Sequence, residues 1–445
     1  MKTIPNEKPA KDKTTLTTTI HALSHDGRGI ATIDGKTTFL NGGLPTETVT
    51  YRINQKRATF NEGDALDILQ ASAERVEPPC QHAGVCGGCS LQHMSPTLQI
   101  ELKQQTMLEQ LKHFGHVVPD AILPPLHANN TGYRRKARLG VRFVIKKDKV
   151  LVGFREKKSR YLADLESCKV LHPRVGENFE ALRALITSLN AIQDIPQIEV
   201  AIGDTDTALV IRHMKPLSEV DLQKLLDFGK QYDFHLYLQP NSPLPITCLY
   251  PEQSAERLSY TLPDQQLAFL FHPLDFTQIN LEMNRLMVNQ ALDLLELKEN
   301  ETVLDLFCGI GNFTLPMARF AKHVTGVEGG EEMVIRANTN AAHNGIQNVD
   351  FHAANLMAPP TDAPWMKQHY DKILLDPPRA GAKEMLPFIE QLGAKKIVYV
   401  SCNPATLARD AGELVQKYGF RLTHAGIMNM FPHTSHIEAM AVFTK

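Results

Sequence analysis

The sequence has no long apolar segment, no large excess of charge of one sign and few cysteines. No stretch approaches the roughly 20 apolar residues of a membrane span, so we expect no membrane partner. The net charge is −2, whereas nucleic-acid-binding proteins are usually basic, so such a function requires a local basic patch. The cysteine count of seven is odd, which argues against a disulfide framework and for a reducing, cytoplasmic compartment.

Short strands follow a polar N-terminal segment. Residues 1–13 have no apolar core, which predicts a disordered tail and no secretory signal. Residues 14–74 then contain several strand-like runs separated by turn residues, among them Asp26-Gly27 and Asp34-Gly35. Asp-Gly between two such runs indicates a hairpin. We therefore predict a small β-barrel of the OB type, a fold that binds single-stranded nucleic acid in some proteins and only packs in others.

The rest of the chain is long enough for two further domains, since 445 residues correspond to roughly three domains. Pro78-Pro79 marks the end of the first. We predict a central α/β domain formed by 75–95 and 130–270, and a third domain over 271–445. The intervening residues 96–129 are predicted to be a helical linker that packs on the third domain.

A basic patch lies within the predicted central domain. Between Arg134 and Arg160 the sequence has twelve Lys or Arg and two Asp or Glu. Charge alone leaves two interpretations open, a solvated basic hairpin or a surface that contacts nucleic acid. The candidate RNA contacts are Arg134, Arg135, Lys136 and Arg138 in the patch and Arg379 in the third domain.

Strands and helices alternate in the third domain, which predicts a doubly wound, mostly parallel sheet. We expect helices at the crossings between the parallel strands and an antiparallel hairpin at the end, which is the layout of class I (Rossmann-like) methyltransferases. In such a sheet the loops at the carboxyl ends of the strands line one crevice. The predicted strands are 302–307, 323–327, 349–353, 371–375, 396–401, 420–429 and 436–444.

The first strand of this domain runs into a glycine-rich turn that indicates a nucleotide-type cofactor. The turn, Gly309-Ile310-Gly311-Asn312, has Thr314 where a dinucleotide fingerprint has its third glycine. Glu328 ends the next strand, where an acid can hold two ribose hydroxyls, and Asn355 follows the third, within reach of an adenine edge. In this order the residues favour S-adenosylmethionine over a dinucleotide.

A second motif restricts the atom that is methylated. The strand over 371–375 ends in Asp376-Pro377-Pro378-Arg379. Methyltransferases that act on exocyclic amines have an aromatic residue after the two prolines, which stacks on the base. Arg379 takes that position here, so methylation of an amine nitrogen is disfavoured.

Cys402, in Ser401-Cys402-Asn403-Pro404, is the candidate nucleophile for methylation of a pyrimidine carbon. A thiolate that adds at C6 makes C5 nucleophilic, and a base must later remove the C5 proton. The cysteine directly precedes a predicted helix, whose N-terminus is expected to lower the pKa of the thiol. Glu438, an acid in an apolar strand, is the candidate base, with His436 as the second choice. Cys308 is expected to pack and Cys248 has no supporting context.

Four further cysteines suggest a metal centre. Cys80, Cys86 and Cys89 lie within ten residues, and Cys168 is far downstream. Four thiols can hold tetrahedral zinc or an iron–sulfur cluster. A zinc ribbon prefers two matched Cys-x2-Cys pairs, so the spacing here favours a [4Fe–4S] cluster.

Over nearly its whole length the chain resembles the bacterial RNA uracil-C5 methyltransferases. The resemblance implies a TRAM barrel at the N-terminus, a central domain whose Cys80, Cys86, Cys89 and Cys168 hold a [4Fe–4S] cluster, and methylation of C5 of uridine 1939 in 23S ribosomal RNA. It also implies that Cys402 is the nucleophile and Glu438 the base. The implied S-adenosylmethionine contacts are Gln278, Phe307, Asn312, Glu328, Asn355 and Asp376, of which Gln278 follows from the resemblance alone. The matching motifs are Cys80-x5-Cys86-Gly-Gly-Cys89, Tyr133 to Gly140, Asp275 to Asn280, Asp305 to Asn312, Asp376 to Gly381, Ser401 to Pro404 and His436 to Glu438.

Three alternatives remain open at the level of the sequence. A family member acting on a different or second uridine, in ribosomal or transfer RNA, would carry similar motifs. A non-catalytic RNA-binding protein with the cluster as a redox sensor would not need Ser401-Cys402-Asn403-Pro404 or Glu438. A cytosine-C5 methyltransferase would hold its cysteine in a different motif. For a methyltransferase acting on 23S ribosomal RNA we expect a monomer, with a single-stranded or flipped uridine as substrate.

Overall fold

The computed structural model describes residues 16–241, 245–252 and 257–445. The predicted tail, 1–13, lies outside the described residues. The chain forms two compact units, Met1–Glu77 with Leu91–Leu102 and Pro78–Ser90 with Lys103–Lys445. This division differs from the predicted boundaries, because Leu91 and Met94 pack with Leu44 in a small apolar core of the first unit.

The first unit contains one six-stranded sheet in the order β1-β5-β6-β4-β3-β2. Its two edge strands are consecutive in sequence and are separated only by Ile20 and His21. The hairpin predicted at Asp34-Gly35 is confirmed, with φ of 51° and 74° at the two turn residues, as a tight hairpin turn requires. The strands are β1 (Leu16–Thr19), β2 (Ala22–Leu23), β3 (Gly29–Ile33), β4 (Lys36–Asn41), β5 (Thr48–Lys56) and β6 (Phe60–Gln70).

The segment predicted as a linker begins with a helix. This helix, α1 (Pro96–Gln110), continues into a π-helical turn, Leu111–Gly115, and a short strand, β7 (Ala121–Ile122), follows. A helix near the C-terminus, Pro404–Gln416, comes so close to the π-helical turn that a Cβ on Gly412 would lie 2.6 Å from the Gly115 carbonyl oxygen. Glycine at 412 is therefore needed for this close packing.

The middle of the second unit is a mixed α/β layer with a sheet in the order β13-β12-β11-β10-β8-β9. Its apolar side chains pack with residues of three helices, which gives this region a core of its own. Its elements are β8 (Lys136–Val144), β9 (Lys149–Gly153), α2 (Pro173–Gly176), α3 (Phe179–Ser188), β10 (Gln197–Ile202), β11 (Thr207–His213), α4 (Glu219–Tyr232), β12 (His235–Pro240) and β13 (Thr247–Tyr250).

The C-terminal part is the predicted doubly wound sheet. A hairpin of β14 (Leu258–Leu262) and β15 (Leu267–Phe271) and the helix α5 (Leu281–Leu295) precede it. The further elements are β16 (Thr302–Leu306), α6 (Thr314–Ala318), β17 (His323–Glu328), α7 (Glu331–His343), β18 (Val349–Ala353), β19 (Lys372–Leu375), β20 (Lys396–Ser401), α8 (Pro404–Gln416), β21 (Arg421–Met428) and β22 (Glu438–Thr444).

The strand order of this sheet is β18-β17-β16-β19-β20-β22-β21-β7. Strands β16 to β20 pair in parallel, and β22 pairs antiparallel with both of its neighbours, which confirms the predicted hairpin. The edge strand β7 pairs in parallel with β21 and was not predicted, since two residues give no periodic signal.

The expectation of a helix at every crossing is wrong for two connections. Only 3-10 turns, Pro364–Lys367 and Leu386–Phe388, lie between β18 and β19 and between β19 and β20. Both connections are rich in proline, which lacks the N–H donor that a helix interior needs.

No helix among the described residues is both long enough and apolar enough to span a membrane.

The topology brings the predicted motifs to one edge of the sheet. The parallel strands β16, β17, β19 and β20 all end there, each directly before a predicted motif. Strand β22 runs antiparallel to β20, with Ala439 opposite Ser401. Glu438, the first residue of β22, therefore lies at the edge of the sheet where β20 ends.

Candidate active site

A strained turn follows β16. Phe307, Gly309 and Gly311 have φ of 68°, 56° and 91°. This conformation is rare for a bulky residue such as phenylalanine, and it costs about 1–3 kcal/mol that the surroundings must supply. The backbone N–H groups of Phe307 and Cys308 both donate to the carbonyl oxygen of Val327, at 2.9 and 3.1 Å. A Cβ on Gly309 would meet open space, so the turn leaves room for a ligand.

One cavity of about 580 Å³ collects most of the predicted site residues. Arg379 lines it, as do seven of the eight predicted catalytic and cofactor residues. These seven are Gln278, Phe307, Asn312, Glu328, Asp376, Cys402 and Glu438. The eighth, Asn355, is exposed and does not belong to the described residues that line the cavity. Its side-chain oxygen accepts a hydrogen bond from the Met357 N–H at 3.0 Å.

The carboxylate of Glu328 is oriented by backbone donors. Its Oε2 accepts from the Gly309 N–H at 3.1 Å, and its Oε1 accepts from the Gly329 N–H at 2.7 Å. The acid at the end of β17 is thereby fixed against the glycine-rich turn at the end of β16.

Asn312 is held by two side chains that the sequence did not single out. Its Oδ1 accepts from the Tyr260 hydroxyl at 2.8 Å and from the Asn284 amide at 2.9 Å, and its Nδ2 donates back to Asn284. Tyr260 also lines the cavity. It belongs to β14, which the sequence analysis assigned to the central domain. Assigning that strand to the C-terminal part would have been needed to predict Tyr260 as a site residue.

Buried carboxyl groups dominate the electrostatics of the cavity. Burial and the charge of Glu328 raise the pKa of Asp376 to about 7. Burial and the charge of Asp376 raise the pKa of Glu438 to about 8, and Arg379 partly opposes this shift. Asp305, below the turn, has a pKa raised to about 8 by its burial, although the Thr314 hydroxyl donates to it at 2.5 Å. Near neutral pH, Glu438 is therefore largely protonated.

The expected lowering of the Cys402 pKa is wrong for this structure. Burial, with the charges of Glu438 and Asp376, raises the pKa of the thiol to about 11. The helix N-terminus is present, since Asn403 caps α8 by accepting from the Ala405 N–H at 3.1 Å. Two nearby acids and the loss of water outweigh it, so the thiol is protonated at rest.

The loop after Asp376 is tied to α8. The carbonyl oxygen of Arg379 accepts from the Asn403 amide at 3.0 Å and from the Thr406 hydroxyl at 3.2 Å. The buried Asp410 accepts from the Ala382 N–H at 2.8 Å. These bonds fix the loop that carries Arg379 relative to the residues flanking Cys402.

Of the two candidate bases, only Glu438 lines the cavity among the residues described. His436 contacts Arg379 instead, with Nδ1 and the guanidinium nitrogen 3.2 Å apart. Burial and the Arg379 charge lower the pKa of His436. The geometry therefore favours Glu438. Cys308, which was expected to pack, is buried but also lines the cavity, and Cys248 is exposed outside it.

The four cysteines predicted as metal ligands belong to the second unit. Cys168 lies within electrostatic range of Cys80 and Cys86, and its sulfur accepts from the Val170 and Leu171 N–H groups. The Cys86 sulfur accepts from the Gly88 N–H at 3.4 Å. In the described part of the chain, no group of three or more His, Cys, Asp or Glu side chains is arranged to hold a single metal ion.

Several predicted RNA contacts have partners within the protein. Arg134 donates to the Lys136 carbonyl oxygen at 3.0 Å, and Arg135 faces Asp204 at 3.6 Å. The Lys136 ammonium donates to the Pro273 carbonyl oxygen at 3.1 Å, and Arg138 pairs with Glu199 at 2.9 Å. These bonds leave Arg134, Arg135 and Lys136 less available to a ligand than the sequence suggested.

A second cavity, of about 740 Å³, lies in the same patch and is called the arginine groove here. Arg142, Arg155 and Arg160 line it without forming an ion pair to another described residue. Tyr161, whose side chain is exposed, lies beside them, with the Arg160 guanidinium 5.7 Å from its ring centre. Aromatic and guanidinium groups together suit a single nucleic-acid strand.

Comparison with known proteins gives a consistent result. A family profile described as tRNA (Uracil-5-)-methyltransferase matches residues 97–358 and 362–445. The chain is 52% identical over 426 residues to the 23S rRNA (uracil(1939)-C(5))-methyltransferase RlmD of Alcanivorax borkumensis, with 96% of both chains covered. It is 51% identical over 441 residues to the protein of the same name from Nitrosococcus oceani, covering 99% of this chain and 98% of that one.

A solved structure shows the same fold. The chain is similar to the Pyrococcus abyssi tRNA (uracil-54, C5)-methyltransferase, which was solved with S-adenosyl-L-homocysteine, with a TM-score of 0.75 and 23% identity. The match covers 97% of this chain and all of the other. The Rossmann-like layout predicted for the C-terminal part is confirmed.

Replacing the buried acid should change the pH dependence of stability. The pKa of Glu438 is raised from 4.5 to about 8. Its contribution to the free energy of unfolding is therefore fully present below pH 4.5 and is lost as the pH rises through 8. Glu438→Gln mimics the protonated form, so we expect an unchanged Tm at pH 4.5 and a Tm higher by about 2 °C or more at pH 9. Thermal unfolding of both proteins across this range measures the effect.

The control is Glu299→Gln, an exposed glutamate in the second unit. It should shift the Tm by a similar small amount at each pH. A gain for Glu438→Gln that is equal at pH 4.5 and pH 9 would contradict the burial argument.

Proposed function

This chain belongs to the tRNA (uracil-5-)-methyltransferase family, and from that premise we propose that it methylates C5 of uridine 1939 in 23S ribosomal RNA with S-adenosylmethionine. The observation that carries the chemistry is one cavity shared by Cys402, Glu438 and the turn after β16. The observation that favours this target is the match, over 96% or more of both chains, to relatives named for uracil 1939.

The nucleophile is Cys402. Its thiolate adds to C6 of the uracil, and the electron pair of the C5–C6 double bond moves onto the carbonyl conjugated with it, so that C5 becomes nucleophilic. S-adenosylmethionine, when bound, supplies the methyl group that C5 takes up. Because the pKa of the thiol is raised to about 11, Cys402 must release its proton to solvent before the thiolate can add.

Glu438 acts after methylation, once it has given up to solvent the proton that it holds at rest. Its carboxylate removes the C5 proton, the electron pair of that C–H bond restores the C5–C6 double bond, and the C6–S bond breaks to release the thiolate. A pKa of about 8 suits a group that must both take and return a proton near neutral pH. Burial of Glu438, together with the charge of Asp376 in the same cavity, keeps that pKa high.

The cofactor would occupy the part of the cavity beside the turn after β16. Glu328 suits the two ribose hydroxyls, since backbone N–H groups already orient its carboxylate. Phe307 and Asn312 come from the turn itself, and Gln278 and Asp376 line the same cavity. Asn355, although outside the lining, follows β18 and is retained as the contact for the adenine edge.

Cys80, Cys86, Cys89 and Cys168 would hold a [4Fe–4S] cluster. Backbone N–H groups donate to the sulfurs of Cys86 and Cys168, which suits thiolates that ligate iron. Four thiolates are a usual ligand set for such a cluster. Their spacing in the sequence, without two matched Cys-x2-Cys pairs, favours a cluster over zinc.

Two parts of the protein would bind RNA. The strand order of the first unit supports an OB-type TRAM barrel over 14–74, because its edge strands are consecutive in sequence. The central domain, 75–95 and 130–270, would add the arginine groove, whose lining includes Arg138. Arg134, Arg135 and Lys136, which precede Arg138 in the sequence, would be further contacts. Arg379, at the cavity, would meet the flipped uridine.

The domain over 271–445 would carry the chemistry, and residues 96–129 would be the linker. The protein would act as a cytoplasmic monomer.

The first test is methylation of unmodified 23S ribosomal RNA. We expect one 5-methyluridine, on the fragment that contains uridine 1939, as mapped by mass spectrometry. Cys402→Ala should abolish it while RNA binding persists, and Glu438→Gln should trap a protein–RNA adduct on a denaturing gel, because the C5 proton is not removed. Cys248→Ser, at an exposed cysteine outside the cavity, should keep full activity. Methylation elsewhere, or only of transfer RNA, would reject the target but keep the chemistry.

The second test concerns the arginine groove. The affinity for RNA should fall steeply with salt, since phosphate contacts release counterions. Arg142→Gln should weaken binding at low salt and reduce the slope of log affinity against log salt by about 1. Arg174→Gln is the control, because Arg174 already pairs with Asp233 at 2.6 Å. A flat salt dependence, or an equal effect of both variants, would reject the groove.

The third test concerns the cluster. Protein purified without oxygen should contain about four iron atoms per chain and absorb visible light. Cys86→Ser should lose both signals, whereas Cys248→Ser should keep them. Stoichiometric zinc in place of iron would contradict the assignment.

A further inference from the structure

The loop between β21 and β22, residues 429–437, is called the base-carrying loop here because Glu438 directly follows it. Three successive carbonyl oxygens in it accept hydrogen bonds from three distant parts of the chain. The Phe431 oxygen accepts from the Lys103 ammonium, the Pro432 oxygen from the Tyr133 hydroxyl and the His433 oxygen from the Ser90 N–H, each at 2.9 Å. All of these residues belong to the second unit.

Two of the three donors, Lys103 and Tyr133, are buried, whereas Ser90 is exposed and donates through its backbone N–H. Lys103 is 1% exposed and donates a further bond to the Asn429 side-chain oxygen at 2.8 Å. Tyr133 is 6% exposed and His433 is 5% exposed. His433 also has a φ of 66°, a conformation that persists only where the surroundings impose it. Such a loop has little freedom to move while its three carbonyl oxygens are bonded.

Two of the three donors come from the neighbourhood of the cysteines. Ser90 directly follows Cys89 in the sequence. Tyr133 lies within electrostatic range of Cys89 and Cys168. The bonds to Pro432 and His433 therefore connect the surroundings of the four cysteines to the loop that ends at the proposed base.

We propose that Tyr133 and Lys103 are positioning residues for Glu438, and that through Tyr133 and Ser90 the packing around the cysteines sets where that carboxylate lies. This inference rests on the proposed function. A base must lie within hydrogen-bond reach of the proton that it removes, and a displacement of about 1 Å costs about 100-fold in rate. Loosening the loop should therefore slow removal of the C5 proton and leave the earlier addition of Cys402 intact.

The variant Tyr133→Phe tests the proposal, because it deletes one hydroxyl. We expect turnover to fall about 10-fold or more, while KM for RNA stays within about twofold. The methylated protein–RNA adduct should accumulate on a denaturing gel, as with Glu438→Gln. The matched control is Tyr370→Phe, since the buried Tyr370 hydroxyl also donates to a backbone carbonyl oxygen, that of Trp365 at 3.0 Å. It should turn over as the unaltered protein does, without an adduct.

Further readouts separate the possible outcomes. Iron content and visible absorbance of Tyr133→Phe should equal those of the unaltered protein, and loss of iron would overturn the proposal by making the hydroxyl part of the cysteine centre. Slower turnover without an adduct, or the same behaviour in Tyr370→Phe, would also overturn it. If the unaltered protein makes no 5-methyluridine, the proposed function has failed instead.

A second variant keeps the proposal testable if Tyr133→Phe does not fold. Lys103→Met removes the donors to Phe431 and Asn429 and keeps an unbranched side chain of similar length. It should also accumulate the adduct, and Lys103→Gln, which retains a donor, should restore part of the turnover. Equal turnover in both Lys103 variants would contradict a positioning role.

Discussion

The crowding of carboxyl groups in one buried cavity is the constraint on which the rest of the site depends. Asp376 and Glu438 each lie where water is scarce and a second acid is near, so both hold protons to a higher pH than usual. Burial, together with the same acids, raises the pKa of the Cys402 thiol and keeps it protonated. Arg379 is the group that opposes this crowding at both Glu438 and Cys402. The titratable groups of the cavity can thus exchange protons near neutral pH before any substrate is present. Burial of these groups lowers the stability of the protein, and the packing of the sheet must offset this loss.

The sequence was sufficient to predict which motifs meet. The reason is topological, because parallel strands end at one edge and each motif directly follows a strand, as with Asp376 after β19 and Cys402 after β20. It was insufficient wherever a side chain acts across the fold. The bond from Tyr133 to Pro432 spans 299 residues, and the support of Asn312 by Tyr260 comes from a hairpin outside the sheet. Neither contact leaves a periodic or local signal.

Local rules also take no account of the partners that the rest of the fold supplies to a charged group. The helix N-terminus at Asn403 predicted a reactive thiol at Cys402, but that rule takes no account of acids brought in by other strands. Similarly, the basic patch predicted ligand contacts at Arg135 and Lys136, whereas both groups already bond within the protein. The charges left available lie further along the patch, in the arginine groove. A count of charges cannot distinguish a group that is already satisfied from one that is not.

The antiparallel pairing of β20 with β22 has a consequence for how such a site can evolve. Cys402 follows Ser401, and Glu438 precedes the residue paired with it, so one ladder of backbone hydrogen bonds sets the spacing of both groups. A ladder has discrete registers, and a slip by one residue would turn the carboxylate to the opposite face of the sheet. The spacing of the two groups cannot drift by small steps as substitutions accumulate. Diversification toward new RNA targets is therefore left to the parts that surround the ladder, while the reaction itself is inherited intact or lost.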